Sequence, residues 1–169
     1  MRRGDRVSPS SLKFLAAIAF AGLWASATPA QDQTFDYRGD DAEMNEAMAK
    51  ARETLPVLFE NLGRPDVKAF MLKVAVDASD AGRTLEHIWM SECRSGRVRE
   101  LACIVANAPH SKNIVEGELY EFDIKEITDW AYFDDAGMMH GAYTMRVILP
   151  RLPEDQAASY RAILAPLPE

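Results

Sequence analysis

Histidine and cysteine are scarce in this chain, whose 169 residues hold three of the one and two of the other. Little chemistry can therefore rest on either. Cys93 and Cys103 lack the C-x-x-C spacing of a redox site. A zinc centre would need His87 and His140 to converge with an acid such as Glu86 or Asp129, and nothing in their spacing predicts it. A nucleophilic triad of Asp129, His140 and a serine lacks its G-x-S-x-G elbow, and Ser91 does not stand in that context. There is no glycine-rich phosphate loop, no internal repeat and no low-complexity tract. No catalytic residue, metal or cofactor is expected on these grounds.

Basic charge is also short, with 19 Lys and Arg against 26 Asp and Glu. Four of those bases, Arg2, Arg3, Arg6 and Lys13, stand in the first thirty residues beside a single acid, Asp5. They precede the apolar run "FLAAIAFAGLWASA" and the small residues of "TPAQDQ". This is the pattern of a secretory signal peptide over residues 1–30, cleaved after Ala30. An uncleaved anchor is the alternative, but a span needs about 20 apolar residues and this run is shorter and rich in alanine. The expected destination is the periplasm or the medium. Without that segment 15 bases face 25 acids, a balance with no electrostatic reason to bind nucleic acid or anionic lipid. The 139 residues left suffice for one domain, expected over 40–169, and hold no later apolar run long enough to span a membrane.

In an oxidising compartment the two cysteines invite a disulfide. They flank "RSGRVRELA", where Ser95-Gly96 signals a turn, and hairpin strands on either side would place Cys93 opposite Cys103 within bonding reach. Two small buried thiols that pack without bonding are the other reading.

Residues 31–39 are polar and aperiodic, a loose leader. In "DDAEMNEAMAKARETL" Asp40 can cap a helix, and Met44, Ala47, Met48, Ala51 and Leu55 recur at helical spacing. Pro56 interrupts that helix, and Thr54 can cap a short second one ended by Gly63. The two methionines on one face are core filler rather than a soft-metal site. The period then becomes two. Phe70, Leu72, Val74 and Val76 alternate along a strand, "LEHIWMSEC" and "ELACIVAN" form a hairpin, and "LYEFDIKEI" alternates through Tyr120, Phe122 and Ile124. "DWAYF" and "YTMRVIL" read as two more extended runs, and a last helix begins near Pro153. The expected class is α+β, with helices against a mostly antiparallel sheet of five to six strands, short enough to curl into a small open barrel.

Within "DWAYFDDAGMMHGAYTMR" the aspartates and glycine of "DDAG" predict a chain reversal over Asp134 to Gly137. Gly141 beside His140 marks a bulge or a close backbone approach. The acids here lack the alternation and distal glutamate of a calcium loop. His87 shares a strand face with Trp89 and Ser91, while Glu86, Ile88 and Met90 share the other. His87 reads either as a ligand-binding residue or as an amphipathic filler, and His110, in a polar loop, as solvent-exposed.

"DDAEMNEAMAKARETLP", "FMLKVAV", "LEHIWM", "ANAP", "ITDWAYF" and "HGAYTMRVIL" follow one another in the order and spacing of a known family. From about Asp40 to Leu149 the chain resembles the bacterial domain of unknown function 2314, or YegJ-like family. The resemblance implies a small bacterial domain, exported in some members, with no settled activity. Glu86, His87, Trp89, Asn107, Pro109, Asp129, Trp130, Gly141, Tyr143, Thr144 and Arg146 match its characteristic positions. Cys93 and Cys103 are not part of that pattern, and Ala142 stands where a second glycine is usual.

Those positions support two accounts. In the structural one Trp89 and Trp130 fill the core, Asp129 caps or accepts backbone bonds at a strand end, and Arg146 pairs with an acid. In the functional one Glu86, His87, Trp89, Asp129, Tyr143 and Arg146 line a polar groove for a peptide or small polar ligand. The expected function is that of an exported, non-catalytic binding or accessory module whose partner is a protein or small polar ligand. The alternatives are a metal-assisted or acid-base hydrolase using Glu86, His87, Asp129 and His140, and an immunity-type protein whose acidic surface suits a basic partner.

Overall fold

The computed structural model describes residues 41–96 and 99–168. The expected signal peptide and leader lie outside the described residues, and so does Asp40. Asp41 does the capping instead, its carboxylate accepting from the Met44 amide at 3.1 Å. Helix α1, Ala42–Glu53, then buries Met44, Ala47, Met48 and Ala51, the stripe its periodicity predicts. Helix α2, Leu55–Asn61, starts afresh with Pro56 in its first turn, where a missing N–H does no harm. Thr54 joins the two but does not cap α2 with its side chain; its hydroxyl donates back to the Lys50 carbonyl at 2.9 Å.

Six strands follow: β1 Val67–Asp77, β2 Leu85–Ser95, β3 Glu100–Val105, β4 Leu119–Asp123, β5 Ile127–Asp134 and β6 Met139–Gly141. All pair antiparallel in the order β4-β3-β2-β1-β5-β6, so β4 and β6 stand at opposite ends and the sheet stays open rather than closing into a barrel. Ile124 does not continue β4; it begins a 3-10 turn, Ile124–Glu126, capped by Asp123. No helix among the described residues is long and apolar enough to cross a membrane.

Strand register sorts side chains between two faces. Leu72, Val74 and Val76 of β1 lie beside Met90, Ile88 and Glu86 of β2, and Leu72 also faces Trp130 of β5. This inner face packs against Ala47, Ala51 and Leu58 of the helices in one core. Trp130 is fully buried there, and its indole N–H donates to the Ala51 carbonyl at 2.9 Å, tying α1 to the sheet. Lys73 and Ala75, paired with Trp89 and His87, belong to the outer face, and these four residues are half-buried.

Cys93 and Cys103 are bonded, with Cα atoms 4.1 Å apart across β2 and β3. The pairing slips by one residue there, since Ser91 faces Ile104 but Arg94 faces Ala102. Glu92, with φ +48°, supplies the extra residue of the bulge.

The largest departure from expectation is "YTMRVIL". It is not a strand: Tyr143–Ile148 forms helix α3, followed by a 3-10 turn, Leu149–Arg151. Tyr, Thr, Val and Ile favour strands by propensity. Here that preference loses to the backbone before them, because Gly141 and Ala142 are both left-handed, at φ +76° and +54°, and turn the chain out of β6. A last helix, α4 Glu154–Ile163, has Pro153 at its N-cap as expected. The tail beyond it returns to β6, where the Ala165 amide donates to the Met139 carbonyl at 2.9 Å.

Candidate functional site

Asp129 organises the region where β5 meets α3. A bulge in the β1–β5 pairing sets both Thr128 and Asp129 against Lys73. The Asp129 carboxylate is buried, and each of its oxygens accepts twice. Oδ1 takes the amides of Trp130 (2.8 Å) and Tyr143 (3.1 Å); Oδ2 takes the Thr144 amide (2.8 Å) and hydroxyl (2.6 Å). The Ala142 amide meanwhile donates to the Trp130 carbonyl at 2.8 Å. These bonds satisfy the opening amides of α3, which explains why a β-prone segment is held helical. Burial pushes the Asp129 carboxyl above its ordinary range, opposed by the Thr144 bonds and the nearby Lys73 ammonium.

Beside this anchor the outer face carries a second group of polar residues. The Lys73 ammonium lies 5.1 Å from the centroid of the Trp89 ring and 3.4 Å from the Thr144 hydroxyl. His87 Nδ1 is 3.0 Å from the Thr128 hydroxyl oxygen, and that hydroxyl donates to the Lys73 carbonyl at 3.2 Å. One hydroxyl thus joins the imidazole of β2 to the backbone of β1. Burial, with the positive charges of Lys73 and Arg52, lowers the His87 pKa to about 4. The ring is therefore neutral at pH 7, beside a cation and an aromatic surface. Asn107 steadies the strand by accepting the Trp89 amide at 2.8 Å.

Of the residues expected to share one groove, His87, Trp89 and Asp129 do come together, and Lys73, Thr128 and Thr144 join them. The other three lie elsewhere. Glu86 is on the inner face, where it accepts from the amides of His110 (2.9 Å) and Ser111 (3.2 Å) and from His110 Nδ1 (2.8 Å). Burial acts to raise Glu86, but these bonds outweigh it and hold the carboxyl below its ordinary value. His110 is exposed, as expected of its loop, and is also the partner of a buried acid. Among the described residues Arg146 pairs with no acid; it donates to the carbonyls of Gly141 (3.1 Å) and Ala165 (2.6 Å) and so fastens the C-terminal tail. Tyr143 packs edge-on against Trp130, and with Arg146 it lines a separate groove of ≈ 330 Å³ between α1 and α3. Its hydroxyl is the one buried side-chain polar atom without a hydrogen-bond partner among the described residues.

The four residues of the hydrolase alternative are likewise divided. His140 stacks on Tyr132 with ring centroids 4.4 Å apart and meets Asp134 through Nε2 at 2.9 Å. Tyr132 faces Phe70, two positions from Leu72, which puts His140 with Glu86 on the inner face while His87 and Asp129 serve the outer one. Among the described residues no three His, Cys, Asp or Glu side chains gather as a metal ion would require. Lys73 was missed because a lysine alternating with apolar residues in a strand carries no signal of its own. Its importance rests on the cross-strand pairings with Trp89 and Asp129.

The model of a family described as "Uncharacterized protein conserved in bacteria (DUF2314)" matches residues 41–164. The chain belongs to this family. No curated protein and no solved structure matches it significantly. The match to DUF2314 spans both the Asp129 anchor and the outer-face group, and it runs as far as Leu164, where the tail rejoins β6.

Proposed function

We propose that this DUF2314 protein is an exported, non-catalytic binding or accessory module, and that it holds a polar ligand on the outer face of β1 and β2. The observation that carries the reading is the grouping of Lys73, Trp89 and neutral His87 beside an Asp129 whose oxygens are all occupied. An acid with four donors is a brace rather than a general base. An ammonium beside an indole face and a neutral imidazole suits a ligand with an anionic group and a flat or apolar part. Export is supported by the basic-then-apolar start of the chain and by the disulfide.

A titration tests this. Small carboxylates, phosphates and short peptides of either charge are added to the protein while tryptophan fluorescence is followed. Trp89 is the half-buried reporter and Trp130 the fully buried one. A binder should lose its fluorescence response in Trp89→Phe and bind about tenfold more weakly to Lys73→Met, with circular dichroism unchanged. Affinity unaltered in both variants would place the ligand elsewhere and overturn the reading.

A further inference from the structure

The two ends of the sheet are finished differently. At one end β6 is only Met139–Gly141, and the chain's own tail lies beside it through the Met139 and Leu164 bridge. At the other end β4, Leu119–Asp123, has β3 as its single neighbour among the described residues. The phase of that pairing follows from its two extremities. The Val105 amide donates to the Glu118 carbonyl at 3.0 Å, and the Ile124 amide to the Arg99 carbonyl at 3.0 Å. Even-numbered residues of this stretch thus turn their main chain toward β3, and Leu119 and Glu121 turn theirs outward. Asp123 would add a third outward amide, but that N–H is taken by Glu126 Oε2 at 3.0 Å.

An edge so arranged is a template for another strand unless its surroundings forbid one. Proteins commonly forbid it with lysine, proline or a bulge. β4 has none of these between Leu119 and Asp123. Its surroundings are acidic and apolar: Glu116, Glu118 and Glu121 are exposed, as are Val115 (49 %) and Leu119 (43 %). None of these three glutamates makes a salt bridge among the described residues. The cations at its far end, Lys125 and Arg99, both act on Asp123, with the Lys125 ammonium 3.5 Å from that carboxylate. Acidic side chains repel a second copy of the same edge, which rules against self-pairing, and they attract lysine and arginine.

We infer that the β4 edge is a docking site for an extended basic segment of another protein, which adds to the sheet through the main chain of Leu119 and Glu121. Leu119 and Glu121 share one face of the strand, so the incoming chain would set a branched apolar residue against Leu119 and Ile104 and, two positions along on the same face, Lys or Arg beside Glu121. Ile104 is the cross-strand partner of Leu119 and half-buried, so it extends the apolar contact inward. Main-chain bonds provide the affinity in this mode and the side chains the selection. The surface is separate from the Lys73, His87 and Trp89 group, so either can fail alone.

The test uses the oxidised protein and synthetic hexapeptides that carry Val and Lys or Arg two positions apart, on one strand face, read by calorimetry and by amide hydrogen exchange. The expected result is binding with new protection at Leu119 and Glu121, a loss of about tenfold or more in the double variant Glu118→Lys, Glu121→Lys, and no binding of the same peptide with Glu for Lys. A peptide N-methylated at alternate positions separates strand addition from plain charge attraction, because it keeps the charge and loses the donors. Equal binding of the methylated peptide overturns the inference, as does protection that appears on β1 and β2 instead, and so does an absence of binding by the basic peptide.

Discussion

A single nitrogen illustrates how this site is tuned. His87 could titrate near neutrality if solvated, but burial and the two nearby cations lower its pKa from 6.5 to about 4. The unfolded chain therefore takes up the proton first as the pH falls. Stability from this residue is complete above about 6.5 and is lost as the pH drops through about 4. Urea unfolding at pH 7.5 and 4.5 should show a loss on the order of 2 kcal/mol that His87→Gln removes. Asp129, whose carboxyl is raised, acts with the opposite sign, so the comparison is between variant and parent at each pH. If the variant keeps the parent's pH profile, the ring is not held neutral. Sequence alone placed His87 and Trp89 on one face and set Glu86 on the other, because strand alternation is a strict rule. It could not place Lys73 or Thr128 with them, since cross-strand neighbours depend on a register and a bulge that no local pattern encodes.

At the level of elements, α3 is the instructive case. Its residues favour strand, and its helical state is imposed by contacts made to it: three hydrogen bonds to Asp129 and two left-handed residues just before. A side-chain Cβ at Gly141 would overlap the Trp130 carbonyl oxygen and stand 2.6 Å from the indole Cε3. Gly141→Ala should therefore destabilise the fold by about 3 kcal/mol or more. Ala142→Gly should do the reverse, gaining up to about 1 kcal/mol, because alanine there bears the strain of a left-handed backbone. Denaturant midpoints of the two variants check both signs, and a milder effect at Gly141 than at Ala142 would contradict the packing described. The turn at "DDAG" was readable because aspartate and glycine act locally: Asp134 Oδ1 accepts from the amides of Ala136 (3.0 Å) and Met138 (2.9 Å). The helix after it was not readable, because its cap, Asp129, lies fourteen and fifteen residues upstream of the amides it binds.

On the scale of the whole molecule, the α+β class and the antiparallel sheet follow from the sequence periods, whereas the openness of that sheet depends on how its ends are finished. The disulfide contributes at this scale too, since it spans the β2–β3 hairpin beside a bulge where pairing is locally interrupted. Reduction should lower unfolding stability by about 2–3 kcal/mol, and a Cys93→Ser, Cys103→Ser double variant should be indifferent to reductant. Urea titrations with and without reductant decide it; a parent protein equally stable in both would mean the bond merely decorates a hairpin already secure. The expected cleavage after Ala30 belongs to the same scale, and the mass of the protein recovered from its native compartment reads it directly.

The tail that lies beside β6 has a practical meaning for anyone who shortens or extends this chain. Leu164 and Ala165 hold a place in the sheet, and the Arg146 guanidinium grips the Ala165 carbonyl at 2.6 Å. They work as a clasp on the border strand. A version ending at Ile163 would unfasten it, leave Met139 without its cover and strip Arg146 of an acceptor, so that a border now shut would become available to any passing strand.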